Sequence, residues 1–447
     1  MSSAADATEL PHSILIVGGG VFGLSTALAL SRRHKGSIAL LEAAPAIPNP
    51  YGSSVDSSRI LRADYANPAY SRLAESALAQ WRTTPWGHEG RHHRNGLVLV
   101  SSINGSDTYM RKSYENVRRL NPNVVERLPT PADVRRVVPG YGVGSHVNGG
   151  YVNWDSAWGD AEAGVRYAKQ KLDQTGRVRF LFGQAERLLI DEEAGQSKVT
   201  GVRLSDGQSI FADLVVLATG AWTGKLVDLR GRAEATGHSL TYIRLTDDEQ
   251  SRLNDMPTVL NLSTGMFIIP PRNNELKIGR HAYGYRNPTL INHPTAPGKI
   301  EVSLPLHGAC VPLEGEMAAR TALREMLPTL GERPFTKTRI CWYTDTPTGD
   351  FIISFHPEIK SLFIATGGSG HGYKFLPVLG DKIVDAMQGT LDADLAALWT
   401  WPEKPVTNPD GSTATVWTED GSRSGVKGMV LADELEKSND LKLSSRL

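Results

Sequence analysis

Six consecutive residues, Gly18-Gly19-Gly20-Val21-Phe22-Gly23, restrict the possible folds of this chain more than any others. They follow a short apolar run, Ile14 to Val17, of the kind that forms a buried parallel strand. They precede Leu24 to Arg33, a stretch rich in Ala, Leu and Ser that reads as a helix. A second apolar run, Ile38 to Leu41, ends at Glu42. Strand, glycine turn, helix, strand and acid at this spacing predict a dinucleotide-binding unit of the Rossmann type. Gly18 permits the tight turn, Gly20 admits the pyrophosphate to the backbone, and Gly23 lets helix and strand approach. The helix start at Val21 and Phe22 offers free N–H groups and a partial positive charge to phosphate. Glu42 can accept hydrogen bonds from a ribose 2′-OH and would repel a phosphate there, which argues against NADP.

The same strand-into-glycine pattern returns far along the chain. Leu214 to Ala218 closes on Thr219-Gly220, and Ser361 to Ala365 closes on Thr366-Gly367-Gly368. Trp158 to Leu172 reads as a helix followed by a strand at Val178 to Phe182. Lys198 to Leu204 and Gln208 to Phe211 flank a Ser-Asp-Gly turn and read as a hairpin. These pieces predict an α/β protein whose parallel sheet is assembled from discontinuous segments. The cofactor domain is expected over residues 10–83, 151–230 and 345–400. Residues 84–150 and 231–344 are expected to form a substrate lobe, and 401–447 a C-terminal tail. Residues 402–426, rich in Pro, Gly, Ser and Thr, read as a surface loop or tail.

The bulk numbers narrow the partners. A chain of 447 residues is too long for one ordinary core. Lys plus Arg and Asp plus Glu are both 48, and this balance argues against nucleic acid and for a small molecule. Two cysteines, Cys310 and Cys341, exclude a disulfide framework and suit a reducing compartment. No apolar run has the length of a membrane span, and the start of the chain lacks a secretory signal pattern. No metal is expected. The final Ser445-Arg446-Leu447 is a variant of the Ser-Lys-Leu peroxisomal address, so peroxisome or cytoplasm is the expected location, with an import receptor as partner. A flexible polar approach, Lys437 to Asp440, would expose it.

Four further segments carry a resemblance. Gly52 to Arg62 (GSSVDSSRILR), Gly220-Ala221-Trp222, Cys341 to Thr344 (CWYT) and Gly370 to Phe375 (GHGYKF) occur in the order found in monomeric sarcosine oxidases. The chain resembles that family of FAD-dependent amine oxidases, within the D-amino-acid-oxidase-like superfamily, from about Ser13 to Met387. The wording around Glu332 to Phe335 and Arg339 to Trp342 is similar to its fungal branch of saccharopine, pipecolate and fructosyl amino acid oxidases. The resemblance implies FAD, a second α+β lobe with a mainly antiparallel sheet, a monomer, and hydrogen peroxide as product. It implies flavin contacts from Ser53, Ser58, Arg59, Gly220, Trp222, Gly370, His371, Gly372 and Lys374. It also implies a thioether from Cys341 to the flavin, with Cys310 structural.

The resemblance further assigns roles. Lys277 stands where a fixed cation promotes electron transfer to O2. A charge about 4 Å away at an effective dielectric of about 20 is worth roughly 4 kcal/mol, or about a thousandfold in rate. Arg62 and Lys374 match the pair that grips a substrate carboxylate, Arg59 lies over the flavin, and His281 lies near the substrate amine. Phe267 falls near a position held by tyrosine in sarcosine oxidases, which puts sarcosine itself in doubt. The implied reaction is oxidation of a secondary amine in an amino-acid-derived substrate, with hydride transfer to the flavin and hydrolysis of the imine. A fructosyl amino acid oxidase ranks second, because that group generally lacks the paired Arg59 and Arg62. An oxidative cyclase of secondary metabolism, or a flavin-binding redox sensor without turnover, would also carry these motifs.

Overall fold

The computed structural model describes residues 8–101, 107–142, 147–193 and 195–444. Its first sheet joins strands that are distant in sequence. In spatial order they are Ile352–Phe355, Leu362–Thr366, Leu214–Leu217, Ser13–Val17, Ser37–Glu42 and Val178–Phe182. The last five are parallel, and Ile352–Phe355 is an antiparallel edge. Alternation along the strands builds two cores. Ile14 and Ile16 pack with Leu24, Ala27 and Leu28 of the helix Val21–Arg33, and with helices Ala161–Thr175 and Leu379–Met387. Leu15 and Val17 face the other way, onto Leu188, Val199, Val202 and Leu204 of a three-stranded antiparallel sheet. Parallel strands end at one edge, so the turns after Val17, Glu42, Leu217 and Thr366 converge there. This is the edge at which open α/β sheets bind ligands.

The second sheet has eight strands. Their order is Lys337–Asp345, Glu234–Arg244, Glu275–Arg280, Met266–Arg272, Thr258–Asn261, Leu97–Ser101, Gly149–Asn153 and Val125–Leu128. Every pair is antiparallel except Thr258–Asn261 with Leu97–Ser101. Leu276 and Ile278 pack on Ala319, Leu323 and Met326 of the helix Leu313–Met326. By the period of two, Lys277 therefore looks the opposite way, onto the face that also presents Tyr242, Phe267 and Ile269 to the first lobe.

Three boundaries differ from the sequence reading. The strand Gly149–Asn153 lies wholly in the antiparallel sheet, so that lobe runs past residue 150. The expected helix from Trp158 starts at Ala161, because Ala157–Gly159 pairs with Arg59–Leu61 and Asp160 caps the helix through the N–H of Ala163. Residues 401–444 pack onto the rest of the chain and do not form a loose tail. Thr418, Ser422 and Arg423 are buried, and Leu431–Ser444 is a helix where a flexible approach was expected. Leu431 is fully buried, and the Ser438 hydroxyl accepts the N–H of Leu313 at the start of the helix Leu313–Met326. Ser445-Arg446-Leu447 lies outside the described residues. Among the described residues, no helix is long and apolar enough to cross a membrane.

Candidate active site

A cavity of about 670 Å³ opens at the edge where the parallel strands end. Its lining runs from Glu42 past Gly18, Gly20, Val21 and Phe22, and past Ser53, Gly220 and Trp222, to Arg59, Tyr343, Gly370 and Gly372. Small-molecule sites typically measure about 300–1,000 Å³. The glycine turn is closed to side chains. A Cβ on Gly18, at φ +111°, would lie 2.4 Å from the Ala218 carbonyl oxygen, and one on Gly23 would lie 1.8 Å from that of Gly18. Gly20, at the N-cap of the helix Val21–Arg33, offers no side-chain cap and the first turn carries no acid, while the N–H of Val21 donates to Ser54 Oγ (3.0 Å). An anionic diphosphate would complete that end. The Glu42 carboxylate accepts from the N–H of Gly19 (2.7 Å), the N–H of Ala44 (2.9 Å) and Asn49 Nδ2 (2.8 Å). It thus shapes the glycine turn as well as lining the cavity.

Behind the far end of this cavity lies a buried cluster built around Asp56. Its Oδ2 accepts from Lys277 Nζ (2.6 Å) and from Arg59, and its Oδ1 accepts from Tyr242 Oη (2.7 Å) and from its neighbour's N–H, that of Ser57 (2.7 Å). Lys277 Nζ also donates to the Ser58 carbonyl (2.8 Å), and Arg59 Nη2 donates to the Ser53 carbonyl (2.8 Å) and approaches Cys341 Sγ (3.4 Å). Burial alone would raise the Asp56 pKa. Lys277 and Arg59 reverse this and hold it well below the usual carboxylate range. Burial pushes Lys277 down to about 8, against the opposing pull of Asp56.

A second cavity, of about 350 Å³, is lined by Arg62, Tyr65, Tyr109, His281, His371 and Asp420, among others. Arg62 is buried, and its Nη1 has no partner among the described residues. Behind Arg62, Asp64 is fully buried and accepts from Tyr151, Asn153 and Ser156. Lys374 does not line this cavity. Its Nζ donates to Tyr65 Oη (2.7 Å) and to the His371 carbonyl (2.8 Å). His371 Nε2 lies 2.8 Å from the Gly349 carbonyl, which can only accept, so that nitrogen carries a proton. Burial and Lys374 push the His371 pKa well down, so Nδ1 is bare and accepts a hydrogen bond from the Tyr65 hydroxyl (3.0 Å). Lys374, Tyr65, His371 and Gly349 thereby form one directed chain of hydrogen bonds.

The family model described as FAD dependent oxidoreductase matches residues 13–386. The chain belongs to this family. Among curated relatives it is 31% identical to the amino acid oxidase imqH of Aspergillus flavus, with 84% of this chain and 92% of that one covered. It is 27% identical to the L-saccharopine oxidase of Schizosaccharomyces pombe, with 88% and 94% covered. Among solved structures, a modified fructosyl peptide oxidase from Aspergillus nidulans superposes with a TM-score of 0.82 at 26% identity, over 94% of this chain and 98% of that one. The glycine cradle, the helix start with no acid in its first turn and the 670 Å³ cavity fit the FAD that defines the family.

In this oxidoreductase the expected site residues separate into layers. Gly18, Gly20, Val21, Phe22, Glu42, Ser53, Arg59, Gly220, Trp222, Gly370 and Gly372 line the larger cavity. Gly23 serves packing alone, and Ser58 and Cys341 sit behind the wall with Lys277. Arg62, His281 and His371 line the smaller cavity. Phe267 does not line it; its ring lies 5.8 Å from Lys277 Nζ and fills the space over Gly279. Cys310, expected to be structural, is exposed. The sequence reading missed Asp56, Tyr242, Tyr65 and Arg423. For Asp56 a signal existed, an acid between the serines and arginines of the Gly52 to Arg62 motif. Asp56→Asn should cost about 3–5 kcal/mol of stability, because it strands buried cations without a counter-charge. Tyr242→Phe should cost about 1 kcal/mol. The Asp56 pKa falls on folding, so its contribution is complete above the unfolded value of 3.8 and shrinks as pH drops below it. Denaturant unfolding should find the gap between wild type and Asp56→Asn narrowing in acid; a gap that widens there contradicts this account.

Proposed function

We propose that this chain is an FAD-dependent oxidase of a secondary amine in an amino-acid-derived substrate, releasing hydrogen peroxide. The observation that carries this reading is Arg62 Nη1, a buried and unpartnered donor on a guanidinium that lines the smaller cavity. A planar fork of this kind suits a carboxylate. When bound, FAD would supply a two-electron acceptor for the C–H bond beside the amine nitrogen, with O2 as the terminal oxidant. The glycine turn and the start of the helix Val21–Arg33 would hold its diphosphate, and Glu42 its ribose. Arg62 binds the substrate carboxylate, and Lys374 supports that site from behind through Tyr65 and His371. Tyr65, Tyr70 and Tyr109 wall the cavity beside Arg62.

Three measurements test the reading. A peroxide-coupled screen over sarcosine, other N-methyl amino acids, pipecolate, proline, saccharopine and fructosyl-valine should find turnover with an amine that bears a carboxylate. With the best substrate, Arg62→Ala should raise KM roughly ten- to a hundredfold, since a charge-assisted hydrogen bond is worth about 1.5–3 kcal/mol. Amidating that substrate should cost about as much, and the two losses should not add. An amide oxidised as fast as the acid would sink the carboxylate clamp.

Cys341 is read as the point of flavin attachment, on the grounds that its sulfur lies buried at 3.4 Å from Arg59 Nη2. The yellow colour should remain with the polypeptide after acid precipitation, and Cys341→Ala should release it to the supernatant. Colour lost from the wild type in acid refutes the tether. Lys277 is read as the cation that favours electron transfer to O2. In stopped flow, Lys277→Met should leave substrate-driven bleaching nearly unchanged. It should slow the return of colour in O2 by roughly two to three orders of magnitude. Equal slowing of both phases would assign Lys277 to substrate binding or folding instead.

A further inference from the structure

The segment from Thr418 to Ser424 lies beyond residue 386, where the family match ends, yet it helps to build the smaller cavity. It is held down at several points. The Thr418 hydroxyl donates to the Thr346 carbonyl (2.8 Å), the N–H of Glu419 to that of Pro347 (2.8 Å), and the N–H of Tyr283 to that of Ser424 (3.2 Å). Asp420 and Ser422 line the cavity, and Ser422 donates its N–H and hydroxyl to Asp420 Oδ1 (2.8 and 2.6 Å). Next to them, the Arg423 side chain is 1% exposed. Its Nη2 donates to Asp345 Oδ1 (2.7 Å) and to the Ser369 carbonyl (2.8 Å). Its Nη1 lies 3.0 Å from His281 Nδ1.

That last contact has only one direction. A guanidinium N–H donates and cannot accept, and it stays protonated at any pH the protein survives. His281 Nδ1 must therefore present its lone pair to Arg423, and the ring proton of a neutral His281 must sit on Nε2. Nothing among the described residues bonds to that Nε2, and His281 lines the cavity. We propose that Arg423 is a positioning residue that locks His281 as the Nε2-protonated tautomer, so that this histidine meets the substrate as a hydrogen-bond donor and does not act as the base. This rests on reading the smaller cavity as the substrate site.

The surroundings act in the same direction. Burial pushes the His281 pKa well below its ordinary value, and Arg423, Arg62, His238 and His371 add to that push. Tyr343 stands 6.2 Å from the ring. The acids nearby do not reverse the balance. Asp345 is bound to Arg423 and accepts from Thr236, Asp420 is engaged by Ser422, and Asp350 lies on the cavity wall with its own pKa raised by burial. Protonating His281 at Nδ1 would require breaking the bond to Arg423 and placing two cations in contact. A donor at Nε2, together with the free Arg62 Nη1, makes a two-sided receptor for an acceptor group such as a carboxylate.

The direct test uses the flavin-loaded full chain with 15N-labelled histidine, the His281 signal being identified by its absence in His281→Gln. In the wild type that signal should show the Nε2-protonated pattern at neutral pH and keep it through the range in which an ordinary histidine titrates, since its pKa lies well below the ordinary value. The comparison variant is Arg423→Met with Asp345→Asn, which removes both members of the buried pair and leaves no stranded charge. There the same signal should change to a mixture of the Nδ1- and Nε2-protonated patterns, and acetate or benzoate should bind about five- to tenfold more weakly as the donor loses its orientation. Arg423→Lys keeps the charge beside Asp345 and separates loss of that charge from loss of the bond to Nδ1. Its His281 signal should also show the mixed tautomer pattern, while the retained charge and burial keep the ring neutral. An Nδ1-protonated pattern in the wild type, or an ordinary histidine titration there, overturns the proposal. So does a double variant that is folded and flavin-loaded but whose His281 signal is unchanged. The tautomer is read without turnover, so its outcome stands apart from the Arg62 measurement, which alone decides whether the cavity takes a substrate carboxylate.

Discussion

One carboxylate, that of Asp56, ties the two lobes together at the site. It takes four hydrogen bonds. Two come from the antiparallel sheet, through Lys277 and Tyr242, and two from its own segment at the cavity wall, through Arg59 and the N–H of Ser57. Coulomb attraction is strong in such a buried place, and so is the penalty for an unmatched charge. The strand Glu275–Arg280 and the segment Gly52–Arg62 are therefore held in one register. Arg59 adds a further link by approaching Cys341 on the strand Lys337–Asp345. The positive groups beside the larger cavity owe their positions to this acid, although it does not line that cavity itself.

Strand alternation explains why so many reactive side chains share one face. The antiparallel sheet lies between the helix Leu313–Met326 and the first lobe. The strands Met266–Arg272 and Glu275–Arg280 send alternate residues to the helix and the others toward the first lobe. On Glu275–Arg280 the helix receives Leu276 and Ile278, and the site receives Lys277. On Lys337–Asp345 the outward residues Ile340 and Trp342 join a separate small core, while Cys341 joins the main one. A slip of one residue in either strand would bury the wrong set. The apolar residues that flank Lys277 and Cys341 thus fix the functional face as firmly as any polar contact.

The sequence was most informative where a motif is local. The glycine turn, its flanking strand and helix, and Glu42 all lie within thirty residues, and the physical demands on them are met by neighbours. Arg62 was visible for a similar reason, because it stands in a contiguous segment. Asp56 was harder. It sits in that same segment, but its meaning depends on Lys277 and Tyr242, which are 221 and 186 residues away. Arg423 was out of reach. Its surroundings are rich in Gly and Ser and read as a loop, and its partners Asp345 and His281 are 78 and 142 residues distant. Lys374 was found in a motif but its place was not, because only the fold shows that Tyr65 stands in front of it. Phe267 was read from a resemblance that carried no information on which side of Gly279 its ring would pack.

The long separations across the central sheet have a consequence for how the molecule is made. Ser13 at the start of the first strand bonds to Asp213, 200 residues on, and Ser25 in the first helix bonds to the carbonyl of Leu376, 351 residues on. Chains emerge from the ribosome with the N-terminus first. The glycine turn is thus translated early, but its neighbouring strand and the glycines that face it come much later. Until Leu362–Thr366 has been synthesised, the sheet has an open hydrophobic edge. Non-local pairing of this kind is slow to form. The larger cavity, whose lining reaches from Val17 to Tyr373, is complete only once most of the chain has been made, and an interrupted translation product presents sticky strands in place of a finished site.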